Sequence, residues 1–196
     1  MHQQTGIMQL QRQALIDELI QITERSTKSV QGLKQLSDNQ LNFKEHSEQW
    51  SALECIEHLN LYGDYYLPEI EKSIFTQNKD EHATIFKSGL LGNYFANLMK
   101  VNNGKVKKMR SPKDKNPVHS QLTSTTIDRF LKQQEMLKQL LEKARHTNLT
   151  MARTPISISK MVRLRLGDTF RFFVYHLERH VLQAEKAAAK APLPNS

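Results

Sequence analysis

Apolar residues recur every three or four positions along most of this chain, the spacing of helices that each bury one face. From about Ile7 to Leu36, Met8, Leu15, Leu19 and Ile22 form one stripe beside Ile16 and Ile20. Gly32 weakens the end of that segment, and Ser37-Asp38-Asn39 is turn chemistry. A second helix starts at Ser51-Ala52-Leu53-Glu54, a capping box in which the Ser hydroxyl and the Glu carboxylate each satisfy a free backbone N–H. Trp50 precedes the cap, where it can pack back on the first turn. Ile56, Leu59, Tyr62, Tyr66 and Ile70 carry the stripe to about Phe75, and Pro68 predicts a kink.

The middle of the chain is less regular. Phe86, Leu90, Leu91, Tyr94, Phe95 and Leu98 suggest a short helix. A loop with Asn102-Asn103-Gly104, Pro112 and Pro117 then runs to Ser120. Loops of that length often sit beside a functional opening. A third long helix follows the cap region Thr123 to Thr126, with Ile127, Phe130, Leu131, Leu137, Leu140, Leu141 and Ala144 facing inward. Pro155 to Leu166 reads as one or two helical turns. Asp168 is the expected N-cap of a last helix carrying Phe170, Phe173, Val174, Leu177, Val181 and Ala184 to about Lys190. No strand-like alternation persists beyond a few residues. The expected fold is therefore all-α, a four-helix bundle with a long crossover between the second and third helices. It forms a single domain over residues 1–190, and residues 191–196 form a disordered tail.

Composition narrows the setting. The chain has 196 residues, of which 38% are apolar, with a mean hydropathy of −0.59. No uncharged stretch exceeds about a dozen residues, against the roughly 20 apolar residues of a membrane-spanning helix, so no membrane partner is expected. The opening Met1-His2-Gln3-Gln4-Thr5-Gly6 has neither the basic end nor the apolar middle of a secretory signal, and a cytoplasmic location is expected. The lone Cys55 excludes an internal disulfide and a cysteine-based zinc cluster. The net charge of +8 is local, because the segment from Leu98 to Ser120 holds seven bases against the single acid Asp114. That segment reads as a solvated loop. It lacks interleaved aromatics and a surrounding helix-turn-helix, which disfavours nucleic acid as a partner.

Of eight histidines, His176 and His180 stand four apart on the last helix, so their rings share one face. They flank the apolar stripe at about 100 and about 60 degrees from Leu177. His58, about 100 degrees from Leu59 on the second helix, mirrors His176 and is the best third ligand. On spacing alone, two satisfied half-buried histidines and a three-histidine metal site both remain open, and such a set suits zinc, nickel, iron or copper. Leu177-Glu178-Arg179 between the histidines lacks the glutamate directly after the first histidine that a zinc protease needs. His46, His82, His119 and His146 are expected to face solvent, and Cys55 to be a small core residue. Glu54, Glu57 and Asp64 are candidates to hold a histidine ring N–H.

Trp50-Ser51-Ala52-Leu53-Glu54-Cys55-Ile56-Glu57-His58-Leu59 resembles the second-helix signature of the DinB-like proteins. Phe173-Val174-Tyr175-His176-Leu177-Glu178-Arg179-His180-Val181-Leu182-Gln183-Ala184 resembles their last-helix signature. The resemblance covers nearly the whole chain. It implies a four-helix bundle with a long crossover and a divalent metal held by His58, His176 and His180, with no ligand missing. Zinc or nickel is the first expectation for the ion, with iron or copper next. The resemblance also implies a metal-dependent enzyme, a thiol-dependent S-transferase or a hydrolase, acting on a small molecule. A low-molecular-weight thiol would be a partner, and the basic loop would attract it if anionic. The alternative is a non-catalytic metal-binding or stress-associated interaction protein. A homodimer is expected to pair through the patch from Leu90 to Leu98.

Overall fold

The computed structural model describes residues 8–77, 80, 82–101, 110–118 and 120–192. It is predominantly helical. Strand β1 (Gln9–Gln11) leads into α1 (Arg12–Leu33), followed by the single turn α2 (Asp38–Leu41) and the long α3 (Ala52–Phe75). Strand β2 (Ile85–Lys87), helix α4 (Leu90–Met99) and a 3-10 turn at Lys113–Lys115 lie in the crossover to α5 (Thr125–Ala144). Strands β3 (Arg153–Ile156) and β4 (Ser159–Arg165) precede α6 (Leu166–Ala188). The expected first turn at Ile7, the Asn102-Asn103-Gly104 turn with its lysines, His119 and the end of the tail from Leu193 lie outside the described residues.

The core forms where the helical stripes meet. Helix α1 packs on α5 and α6, α3 packs on the same two, and α4 lies against α6. Leu15, Ile16 and Leu19, Ile56 and Ile70, Ile127 and Phe130, and Phe170 and Val174 are all essentially inaccessible. Cys55 joins them, and burial pushes its thiol well above the ordinary range. Both halves of the Ser51 capping box are present, with Glu54 N–H donating to the Ser51 hydroxyl and Ser51 N–H to the Glu54 carboxylate. Pro68 lies inside α3, which continues to Phe75.

Four local expectations are corrected. The first helix begins at Arg12, not Ile7, because Gln9–Gln11 pairs with β2 and sets Leu10 opposite the buried Phe86. Met8 is exposed ahead of it. Ser37-Asp38-Asn39 opens a capped turn of helix, since Gln40 completes a second capping box with Ser37. Pro155 to Leu166 is mostly strand, an antiparallel hairpin with Arg153 opposite Arg165 and Thr154 opposite Leu164. Helix α6 starts at Leu166, with Arg165 as N-cap, so Asp168 does not cap it. The Asp168 carboxylate is drawn instead to the start of α4, accepting from the Ser88 hydroxyl and the Gly89 N–H and pairing with Arg171. Gly92 permits this approach, for a Cβ there would meet the Asp168 carboxyl carbon at 2.4 Å. The Leu90 to Leu98 patch is divided by the same packing, with Leu90, Leu91 and Tyr94 exposed and Ala96 buried.

Candidate metal centre

The capping box fixes where α3 begins, and His58 falls on its second turn, facing α6. His176 and His180 project toward it from one face of α6. The His58 and His176 Nε2 atoms are 3.1 Å apart. One ring nitrogen from each of the three histidines lies within 4.8 Å of the other two. His58 and His176 are buried and His180 is half-buried.

Burial decides the protonation of this cluster. Desolvation is the leading cause that pushes His58 down to about 4, against the opposing hydrogen bond to the Lys115 carbonyl. His176 and His180 are held well below the ordinary value, first by burial and then by neighbouring histidines. All three rings are therefore neutral at neutral pH, each with one N–H and one lone pair.

The outer nitrogens determine which way the lone pairs point. His58 Nδ1 lies 2.6 Å from the Lys115 carbonyl oxygen, which can only accept, so that nitrogen carries the proton. His180 Nδ1 lies 3.0 Å from Oε1 of Gln183 and donates in the same way. The Nε2 atoms of both rings are thus acceptors. His176 Nδ1 is buried without a hydrogen-bond partner. His58 and His180 turn lone pairs inward, and His176 Nε2, which donates to His58 Nε2 here, presents a third once its proton moves to the unpartnered Nδ1. Three such imidazole nitrogens are the donor chemistry of a borderline divalent cation. The residues present fit such an ion.

Aromatic rings wall the cluster. The centroid of Trp50 lies 4.7 Å from that of His58 and 5.7 Å from that of His180. Tyr62 lies 4.5 Å from His176 and 4.9 Å from His58, and Phe172 stacks on His176 at 5.7 Å. Burial raises the Tyr62 phenol, which stays protonated. These walls limit water near the nitrogens and fix the ring planes. Trp50 thus lies against the histidines as well as beside the cap.

The structure brings together the three histidines that the spacing singled out, but not the carboxylates offered as their partners. Glu54 closes the cap and pairs with Lys44 at 2.7 Å. Glu57 and Asp64 both bind Arg129. A main-chain oxygen and an amide take their place. His46, His82 and His146 are exposed, as expected. The described end of the basic segment is not a free loop. Its Lys115 carbonyl holds His58 and also accepts from the Ser111 hydroxyl. Tyr62, Phe172 and Gln183 were missed as site residues, although each stands three or four positions from a histidine on the same helix. No such signal exists for a backbone carbonyl on a separate segment.

A family model described as the DinB superfamily matches residues 19–184. That span includes all three histidines and every long helix except the first turns of α1 and the last of α6. No curated protein and no solved structure matches the chain. Among the described residues, no helix is long and apolar enough to cross a membrane.

Proposed function

This chain belongs to the DinB superfamily, and from that premise we propose that it is a divalent-metal-dependent enzyme acting on a small molecule. His58, His176 and His180 would hold the ion, with zinc or nickel favoured and iron or copper next. When bound, such an ion supplies Lewis acidity, so that a thiol or a water ionises at neutral pH. The proposed reactions are S-transfer from a low-molecular-weight thiol or hydrolysis. The observation that carries the reading is the convergence of three neutral imidazoles, two of them with their outer nitrogens already committed.

The chain's own residues have definable parts in this reading. The Lys115 carbonyl and Gln183 orient His58 and His180, which keeps their inner nitrogens unprotonated. Trp50, Tyr62 and Phe172 restrict water.

A second reading is a non-catalytic metal-binding protein. It draws support from Glu57 and Asp64, the nearby carboxylates expected to serve the histidines, which are both engaged by Arg129. Metal analysis of the purified protein and of His176→Ala tests the shared part. Near-stoichiometric metal in the parent and its loss in the variant support a metal centre, and metal-free parent protein refutes it. Consumption of an electrophile in the presence of a low-molecular-weight thiol, absent in His176→Ala, supports the enzyme. A fully loaded protein inert toward thiols, electrophiles and hydrolysable esters supports the non-catalytic reading.

A further inference from the structure

The hairpin has two unlike faces. Thr154 and Leu164 are buried on one, and Arg153, Met161, Arg163 and Arg165 occupy the alternating positions of the other. Arg153 stands directly across from Arg165, and Arg163 is one step further along the same face. Like charges placed directly opposite on paired strands repel, so this arrangement costs stability unless something compensates. Among the described residues, the guanidiniums of Arg153 and Arg163 have no hydrogen bond or ion pair, and that of Arg165 donates only to the Lys87 carbonyl. Asp168 also lines the cavity that these arginines share, but its one negative charge is paired with Arg171, so the charge of the three arginines is left uncancelled.

The three arginines line a cavity of about 190 Å³. Its opposite wall is the first turn of α4, which starts after Gly89 without a side-chain cap. We propose that this cavity binds the phosphate group of an anionic ligand. Three guanidiniums, each able to grip two oxygens, exceed what one carboxylate can neutralise and suit a dianion. The uncapped helix start adds favourable potential, but the unpaired arginines carry the argument. The site stands on different residues from the histidine cluster and does not depend on a metal there. The phosphate could belong to a soluble ester or to a lipid headgroup. Leu90 and Met161, 83% and 95% exposed, sit where they could meet acyl chains in the second case.

The test is calorimetric titration of the full chain with inorganic phosphate, with acetate at matched ionic strength as comparator. The expected result is saturable one-to-one phosphate binding, unchanged after treatment with a chelator, and far weaker acetate binding. Arg163→Gln and Arg153→Gln should each weaken it at least ten-fold while leaving the melting temperature near that of the parent. A triple variant at Lys105, Lys107 and Lys108, each to Gln, should bind phosphate as the parent does. Absence of saturable binding, equal binding by the arginine variants, or loss only in the lysine variant overturns the proposal. Co-sedimentation with phosphatidylcholine vesicles containing phosphatidic acid separates the two sources. Vesicle capture that both arginine variants lose identifies a headgroup. Phosphate binding without vesicle capture identifies a soluble ester.

Discussion

His58, His176 and His180 meet between two core helices, whereas Arg153, Arg163 and Arg165 meet on the outer face of a hairpin at the start of α4. Each place gathers three nitrogenous side chains that can carry positive charge. Their surroundings give them opposite chemistry. Burial keeps the imidazoles neutral, and the carbonyl of Lys115 and the amide oxygen of Gln183 hold the N–H of His58 and of His180 outward, which turns their Nε2 lone pairs inward. Guanidiniums stay protonated at any working pH and can only donate. One trio therefore suits a cation and the other an anion. What separates them is access to water and the partners of the outer nitrogens.

That contrast can be broken most sharply at His176. His176→Ala removes one of three donors and is expected to lower metal affinity more than a hundred-fold, read by metal analysis after dialysis, while phosphate binding at the arginines stays at parental strength. Loss of both activities together would mean that the two places are one coupled unit. A smaller effect is expected from Gln183→Leu. It leaves the ligands in place but removes the acceptor that orients His180, and should weaken metal binding by about 10- to 100-fold in competition with a chromophoric chelator.

Acid should also distinguish the two trios. In the metal-free protein His58 titrates at about 4 when folded, against 6.5 for the free side chain, and the other two histidines shift in the same direction. Between those values the unfolded chain binds more protons than the folded one, so stability is full above 6.5 and falls as the pH drops through that window. Urea unfolding of chelator-treated protein at several pH values should show this decline. Binding of sulfate, a tetrahedral dianion used in place of phosphate because it does not titrate here, should be flat at the arginines across the same range. The smallest expected effect tests scaffold against site. Ser51→Ala deletes the cap of α3 and should cost about 1 kcal/mol in chemical unfolding with metal stoichiometry unchanged.

Much of the helical frame was legible because burial of one helix face leaves a period in the sequence. The same period marked His176 and His180, and put His58 at the mirrored flank of its own helix. It could also have marked Tyr62, Phe172 and Gln183. The hairpin was missed although Val162 and Leu164 alternate with Met161, Arg163 and Arg165, because the run is short and Pro155 lies in the partner strand. Asp168 was misplaced for a different reason. It looks like a cap for the helix that contains it, and only packing shows that it serves the start of another. The grip of Lys115 on His58 left no trace at all, since any residue type could supply that oxygen.

That last contact carries a practical lesson for mutagenesis. Replacing Lys115 by alanine would keep its carbonyl and so leave the tie to His58 in place, and a scan through the segment would register the position as dispensable. Only an edit that shifts the chain path there, such as a one-residue deletion between Ser111 and Lys115, would reveal how much the imidazole relies on it.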